Sequence, residues 1–267
     1  MYMSLGLVAT LSCDNTGNNS DKKGLEKDSS VNIIIPAESI DKALPELPIQ
    51  DDSLAIKFKN IYESEDKEAA NLNFKTAFSQ ALSDESAFDY DFPKTQEAGL
   101  ELIKSKDNKV KIYNWDNNTG GTMRSFTATI QVKEKDVVKT IWKEVENAET
   151  DDYIPKYTAL DILDKGTETI YITSYRYITS TKNLIDGVKT YILKNNELSP
   201  INIIKFKNGQ TSHELERAYE LTDQDFKYFL YFDTQTNSIK ETLTNKKENP
   251  TTAVRTFSWK NNFLMEK

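Results

Sequence analysis

The sequence predicts a mainly β protein, α+β overall, with antiparallel meander sheets forming a sandwich, an open barrel or a blade-like stack and one or two N-terminal helices packed on it. Three observations predict this. From Lys109 onward, runs rich in Val, Ile, Thr, Tyr and Phe alternate with period two, as pleated strands with unlike faces do. Turn-forming clusters (DNNTGG, LDKGT, IDG, KNNE, KNGQ, DTQTN and KNN) separate these runs at hairpin spacing. Between them, no helical run is long enough for the crossover that a parallel strand pair requires, so the strands pair antiparallel.

Taken in chain order, residues 51–100 form a helical N-terminal segment. After an Asp/Ser cluster suited to capping, Leu54, Phe58, Ile61 and Tyr62 recur at three- and four-residue spacing, which predicts a helix near 52–63 with one apolar face. Ala70, Phe74, Phe78, Ala81 and Leu82 do the same near 69–82. Both stripes read as faces buried on the main domain rather than as membrane or partner-helix surfaces. Residues 101–267 form the antiparallel β domain, with KVKIYNW, SFTATIQV, VVKTIWKEV, ETIYITSYRYITS, KTYILK, PINIIKF, FKYFLYFD and AVRTFSW as strands, about ten in all. Within TIYITSYRY, alternation places Ile170, Ile172, Ser174 and Arg176 on one side and Tyr171, Thr173, Tyr175 and Tyr177 on the other. One apolar and one aromatic-polar face are expected.

Counting residues excludes much chemistry. A single Cys and a single His rule out an internal disulfide, a Cys-rich zinc site and any multi-His metal site. With 34 Lys and Arg against 42 Asp and Glu, the net charge of -8 gives no general attraction for a phosphate backbone, so no nucleic acid partner is expected. The 37% hydrophobic and 28% charged content suits a folded domain rather than a disordered chain. No GxSxG, HExxH or phosphate-binding glycine loop occurs, and no cofactor is implied.

The N-terminus carries the clearest address. MYMSLGLVATLSC is apolar and small up to Cys13, the only cysteine, and the chain turns abruptly polar after it. The arrangement resembles a bacterial lipoprotein signal, which implies removal of residues 1–12 and lipidation of Cys13. Ser12 suits that pattern, whereas Thr10 stands where the pattern usually has Leu. Residues 13–50 then read as the lipidated cysteine and a flexible tether and connector, since Asn, Ser, Asp, Gly and Lys dominate the first half and Pro36, Pro45 and Pro48 the second.

The most distinctive string is DNKVKIYNWDNNTGGTMRSF. With QALSDESAFDYDFPK before it, it resembles strings of the form DGKxRIYSWDxxTGGT in a β-rich secreted family of Bacteroidota, over about residues 75 to 130. The resemblance implies a family and no activity. Read from its residues, the string is a hairpin with an unusually polar tip. Trp115, Asp116, Asn117, Asn118 and Arg124 are the candidate ligand-binding set, because an indole beside amides and a guanidinium suits a ligand with apolar and polar faces. The clustered oxygens lack the further carboxylates and terminal Glu of the calcium loop, so no metal is assigned. His213 lies beside Glu214 and Glu216, but alternation along a strand or short loop sends His213 and Glu214 to opposite faces. It reads as a solvated surface histidine.

The expected function is that of a non-enzymatic envelope lipoprotein. It would be anchored to the outer membrane, on its periplasmic side or at the cell surface, by the lipid, and would bind an envelope protein or glycan or serve as an assembly part. The alternative is an extracytoplasmic hydrolase acting on polysaccharide or peptidoglycan through paired carboxylates.

Overall fold

The computed structural model describes residues 51–143, 154–164, 168–221, 228–246 and 249–267. Cys13, the signal segment 1–12 and the tether 13–50 lie outside the described residues.

The helical segment comprises α1 (Asp51–Glu63), α2 (Lys67–Leu82), a 3-10 turn (Glu85–Asp89) and α3 (Pro93–Glu97). Helix α2 begins where Asp66 accepts a hydrogen bond from the Ala69 amide at 2.9 Å, satisfying one of the donors that a helix start leaves unpaired. Helix α3 has Pro at its first position and no side-chain cap of its own. The buried carboxylate of Asp51 serves instead, accepting from the Lys94 amide at 2.8 Å, the Thr95 amide at 3.2 Å and the Thr95 hydroxyl at 2.5 Å. One acid thereby ties the start of α1 to the start of α3.

Three sheets follow. The first is β1 (Glu101–Lys104), β2 (Val110–Asp116), β3 (Phe126–Glu134) and β4 (Val137–Lys143), in that order. The second holds β5 (Lys156–Asp164), β6 (Thr169–Ile178) and β7 (Asn183–Lys194), with β8 (Glu197–Pro200) paired to β7. Next in the chain are β9 (Ile204–Lys205) and β10 (Thr211–Ser212) of the third sheet, and β11 (Glu214–Glu220), which returns to the second in the order β11-β7-β6-β5. The third sheet is completed by β12 (Leu230–Asp233), β13 (Ser238–Thr244), β14 (Pro250–Lys260) and β15 (Phe263–Glu266), in the order β10-β9-β15-β14-β13-β12.

Three apolar clusters glue these layers together. Phe58, Phe74 and Phe78 of the helices pack on Tyr113 and Trp115 of β2. The other face of β2, with Val110 and Ile112, packs with Ile130 of β3 against Tyr157, Tyr171 and Tyr175 of the second sheet. Ile170, Ile172 and Val188 on the far side of that sheet meet Phe232, Ile239, Phe257 and Leu264 of the third. The protein is a β-rich stack of sheets with a helical layer outermost, the sandwich among the expected architectures.

Several expectations need correction. Fifteen strands are present among the described residues, not about ten. The additional ones are short, such as β1 and β15, or carry acids on a partly buried edge, as β5 does with Asp161 and Asp164. The pairing is antiparallel save one contact, since β15 runs parallel to β9. Strand β6 has the expected apolar and aromatic-polar faces, and both of them are covered. Its Ile side packs on the third sheet and its Tyr side on the first, because a strand in the middle layer of a stack is covered twice. Tyr62, expected in the buried stripe of α1, is 43% exposed at the stripe's edge.

Lys111, on the helix-facing side of β2, carries a buried ammonium that meets Asp91 at 2.7 Å, while Lys104 meets the other oxygen of Asp91 at 2.5 Å. Burial of Asp91 acts to raise its carboxyl pKa, but the hydrogen bonds from Lys104 and Lys111 outweigh it and hold the group below 3.8. A folded-state pKa below the unfolded value stabilises the fold above that value, and the contribution is lost as pH falls through the folded pKa. Asp91→Asn is therefore expected to be less stable than the native chain at neutral pH, with the gap closing below pH 3.8. Urea midpoints measured across that range check it; a gap independent of pH would show that the pair contributes nothing through its charge.

Candidate functional site

The polar hairpin predicted around Trp115 is real, and its tip is docked rather than free. Strands β2 and β3 pair from Val110↔Val132 to Asp116↔Phe126, and the loop between them folds back on itself. The Asp116 carboxylate accepts from the Asn118 amide at 2.8 Å and pairs with Arg124 at 2.5 Å. Asn118 sits in the left-handed region at φ 54°, a conformation its short amide side chain tolerates. A side chain on Gly120 would collide with the Met123 carbonyl, so that position requires glycine.

The tip is also fastened to the helices. The Asn117 carbonyl accepts from Asn71 at 2.6 Å, Asn118 donates to the Ile61 carbonyl at 3.4 Å, and the Trp115 indole N–H donates to Asn71 at 3.3 Å. The Asn117 side chain accepts from Thr127 at 2.8 Å and donates to Ser125 at 3.2 Å. Trp115 itself is 2% exposed. Its ring meets Phe74 edge-on at 5.1 Å and Phe78 at 6.2 Å, so the indole faces are covered by protein. Of the candidate ligand-binding set, Asp116 and Arg124 present groups to solvent, whereas Trp115, Asn117 and Asn118 hold the hairpin on the helices.

Beside this hairpin lies a groove of about 790 Å³, within the size range of small-ligand sites. Trp115 and Phe126 form part of its base, and Ile178, Leu184 and Leu221 of the second-sheet region continue it. Its charged groups are Glu101, Asp116, Arg124, Lys156 and Arg176, and Tyr62 is among its other polar residues. The Arg124 amide donates to the Ile178 carbonyl at 3.0 Å, so the hairpin loop bridges the first and second sheets at the groove. Glu101 pairs with Lys156 at 2.5 Å and accepts from Asn114 at 3.3 Å through its second oxygen. Together with the Asn118 and Arg124 contacts of Asp116, every carboxylate oxygen lining the groove has a donor. The exposed Tyr62 ring stands at the rim, its hydroxyl 3.5 Å from the Asp116 carbonyl. Burial first, and then the Asp116 and Glu101 charges, raise its pKa above 10.0, so the phenol remains protonated throughout the neutral range.

His213 departs from its expected placement. It forms a bend between β10 and β11 rather than continuing a strand, and its Nε2 lies 3.8 Å from Glu214 on the same side. Nδ1 is 3.1 Å from the Asn202 amide oxygen. Glu214 and Glu216 are joined by Tyr175. Its ring lies across Gly187, the register partner of both Tyr175 and Glu216, where any Cβ would strike it. Its hydroxyl reaches the Glu214 carboxylate and, at 2.9 Å, that of Glu216. Burial and the two carboxylates push the Tyr175 pKa far up, so this phenol stays a donor with one proton and two acceptors. Lys189, 3.2 Å from Glu214, supplies the compensating charge.

Sequence reasoning overlooked Tyr62, Glu101 and Lys156 as groove residues. Tyr62 read as core because it follows Ile61 in the stripe. Glu101 and Lys156 are 55 residues apart and meet only because β1 lies against the edge of the second sheet. Among the described residues, no group of three or more metal-ligating side chains converges and no helix is long and apolar enough to cross a membrane. Comparison with protein-family models, curated proteins and solved structures returned no match.

Proposed function

We propose that this protein is an envelope lipoprotein, tethered through a lipid on Cys13, whose folded domain is a non-enzymatic binding module with the groove beside the β2–β3 hairpin as its ligand site. The observation that carries the reading is the state of the groove's polar groups. Glu101 and Asp116 each hold a cation at 2.5 Å and have both oxygens occupied. Such carboxylates are positioned to present fixed hydrogen-bonding groups, whereas a general acid or base must be free to exchange its proton. This supports binding over the hydrolase alternative.

The groove also rests on rigid supports. Functional residues gather where loops are held by a packed scaffold, and this loop is bonded to α1, α2, β3 and the end of β6. The tether 13–50, with its Cys13 at the junction of apolar and polar sequence, would hold such a module off a membrane surface.

Gly121 lines the groove, and a Cβ added there would meet nothing within 4 Å, so a substitution starts into open space. Gly121→Trp should therefore fill the groove at little cost to the fold. Retention of the purified protein on isolated cell-envelope material is expected to drop at least about tenfold with an unchanged melting temperature. In parallel, an alkyne fatty acid should label the native chain and not Cys13→Ser. Equal retention of Gly121→Trp would remove the groove from the function, and equal labelling would remove the anchor.

A further inference from the structure

We infer that the groove reads an uncharged, polyhydroxylated ligand, a segment of neutral glycan. The inference rests on the groove being the ligand site proposed above and names what that site selects.

The first argument is charge balance. The groove's two carboxylates, Glu101 and Asp116, are matched by Lys156 and Arg124, each pair at 2.5 Å. Its remaining cation, Arg176, is held by the Asp186 carboxylate through two hydrogen bonds of 2.6 and 2.9 Å. A ligand carboxylate or sulfate that reached Arg124 or Lys156 would come to lie beside Asp116 or Glu101, and a ligand cation that reached either acid would lie beside its basic partner. Each approach sets like charges close together and cancels most of the attraction, so a net charge on the ligand gains little in this cleft.

The second argument is hydrogen-bonding grammar. A hydroxyl is donor and acceptor at once. An exposed ion pair offers the complement: a carboxylate that accepts and, 2.5 Å away, an ammonium or guanidinium that donates. Arg124 keeps 55% of its side chain exposed and Glu101 keeps 45%, so the outer lone pairs and N–H groups are reachable with the pairs intact. The groove therefore carries a pair of such stations, each able to accept a hydrogen bond from a hydroxyl and donate one to it. At the rim Tyr62 offers a ring whose apolar face suits the C–H side of a pyranose.

The test uses the full chain against immobilised neutral polysaccharides (glucans, mannans and galactans), polyuronates, sulfated polysaccharides and a peptide library, followed by calorimetry of the binders at low and high salt. Tyr62→Ala, at an exposed position, and Arg124→Gln serve as groove variants. The expected result is binding of at least one neutral polymer, with Kd changing less than about twofold with salt and weakening about tenfold in Tyr62→Ala. Groove-dependent binding confined to charged polymers or to peptides would overturn the neutral-glycan inference while leaving the groove as the site. Binding that neither variant alters, or none to any probe, would overturn the groove reading itself.

Discussion

Trp115→Ala is expected to unfold the helical layer from the first sheet, at a cost of about 3–5 kcal/mol, the range for truncating a large buried ring. The indole is 2% exposed and packs edge-on against Phe74 at 5.1 Å, in an arrangement that adds to area burial. Its N–H also donates to Asn71, whose amide in turn donates to the Asn117 carbonyl at 2.6 Å. Truncation would thus open a cavity and release the hairpin's tie to α2 together. A thermal melt should show a drop on the order of 10 °C. Trp115→Phe, which keeps most of the packing and loses only the hydrogen bond, should fall well short of that. A melting temperature for Trp115→Ala close to the native value would show that the indole is not part of the core.

Asp186→Asn is expected to be comparably severe, about 3–5 kcal/mol. Asp186 is fully buried and Arg176 nearly so. The carboxylate accepts two hydrogen bonds from Arg176 on the neighbouring strand and a third, at 2.8 Å, from the Phe229 amide just before β12. It clamps β6 to β7 and the second sheet to the third. Removing its charge takes the bidentate carboxylate away from a buried guanidinium that also stacks on Tyr228 at 4.4 Å, and breaking one side of a buried ion pair is costly. Replacing both partners, Arg176→Met with Asp186→Leu, should recover most of the loss, because the penalty comes from breaking one side of the pair. Urea denaturation of the two singles and the double closes the cycle. A double variant no better than Asp186→Asn would show that the fold needs the pair itself.

Much of the local structure is legible in the sequence because it follows from neighbours a few residues away. The Phe74, Phe78, Ala81 and Leu82 stripe marks α2 and names its buried face, since helical side chains at that spacing share one side. The β2–β3 hairpin and its polar tip are equally local, as turn residues act on their own backbone. Where the reading fell short, a distant surface was responsible. Period two in β6 shows that its faces differ; it does not show that a sheet covers each of them. The bend at His213 defeats an alternation argument because it is set by pairing of β10 with β9 and of β11 with β7.

The candidate site divides in the same way. The sequence by itself singled out Trp115, Asp116, Asn117, Asn118 and Arg124 as a polar hairpin tip in which the indole and the guanidinium are unusual for a turn, and one cysteine and one histidine leave multi-Cys and multi-His schemes no residues to work with. Only the tertiary structure decided which of them face a ligand. Asn71 and Ile61 reach the hairpin from 46 and 57 residues away and convert Asn117 and Asn118 into fasteners, and packing against Phe74 and Phe78 leaves Trp115 2% exposed. Lys156 crosses 55 residues to pair with Glu101 and turns a surface acid into one wall of a groove. Composition and periodicity constrain what a segment can bury and how it can turn. Which side chains meet is set by how layers stack, because long-range pairs form only once loop closure has been offset by burial of whole faces.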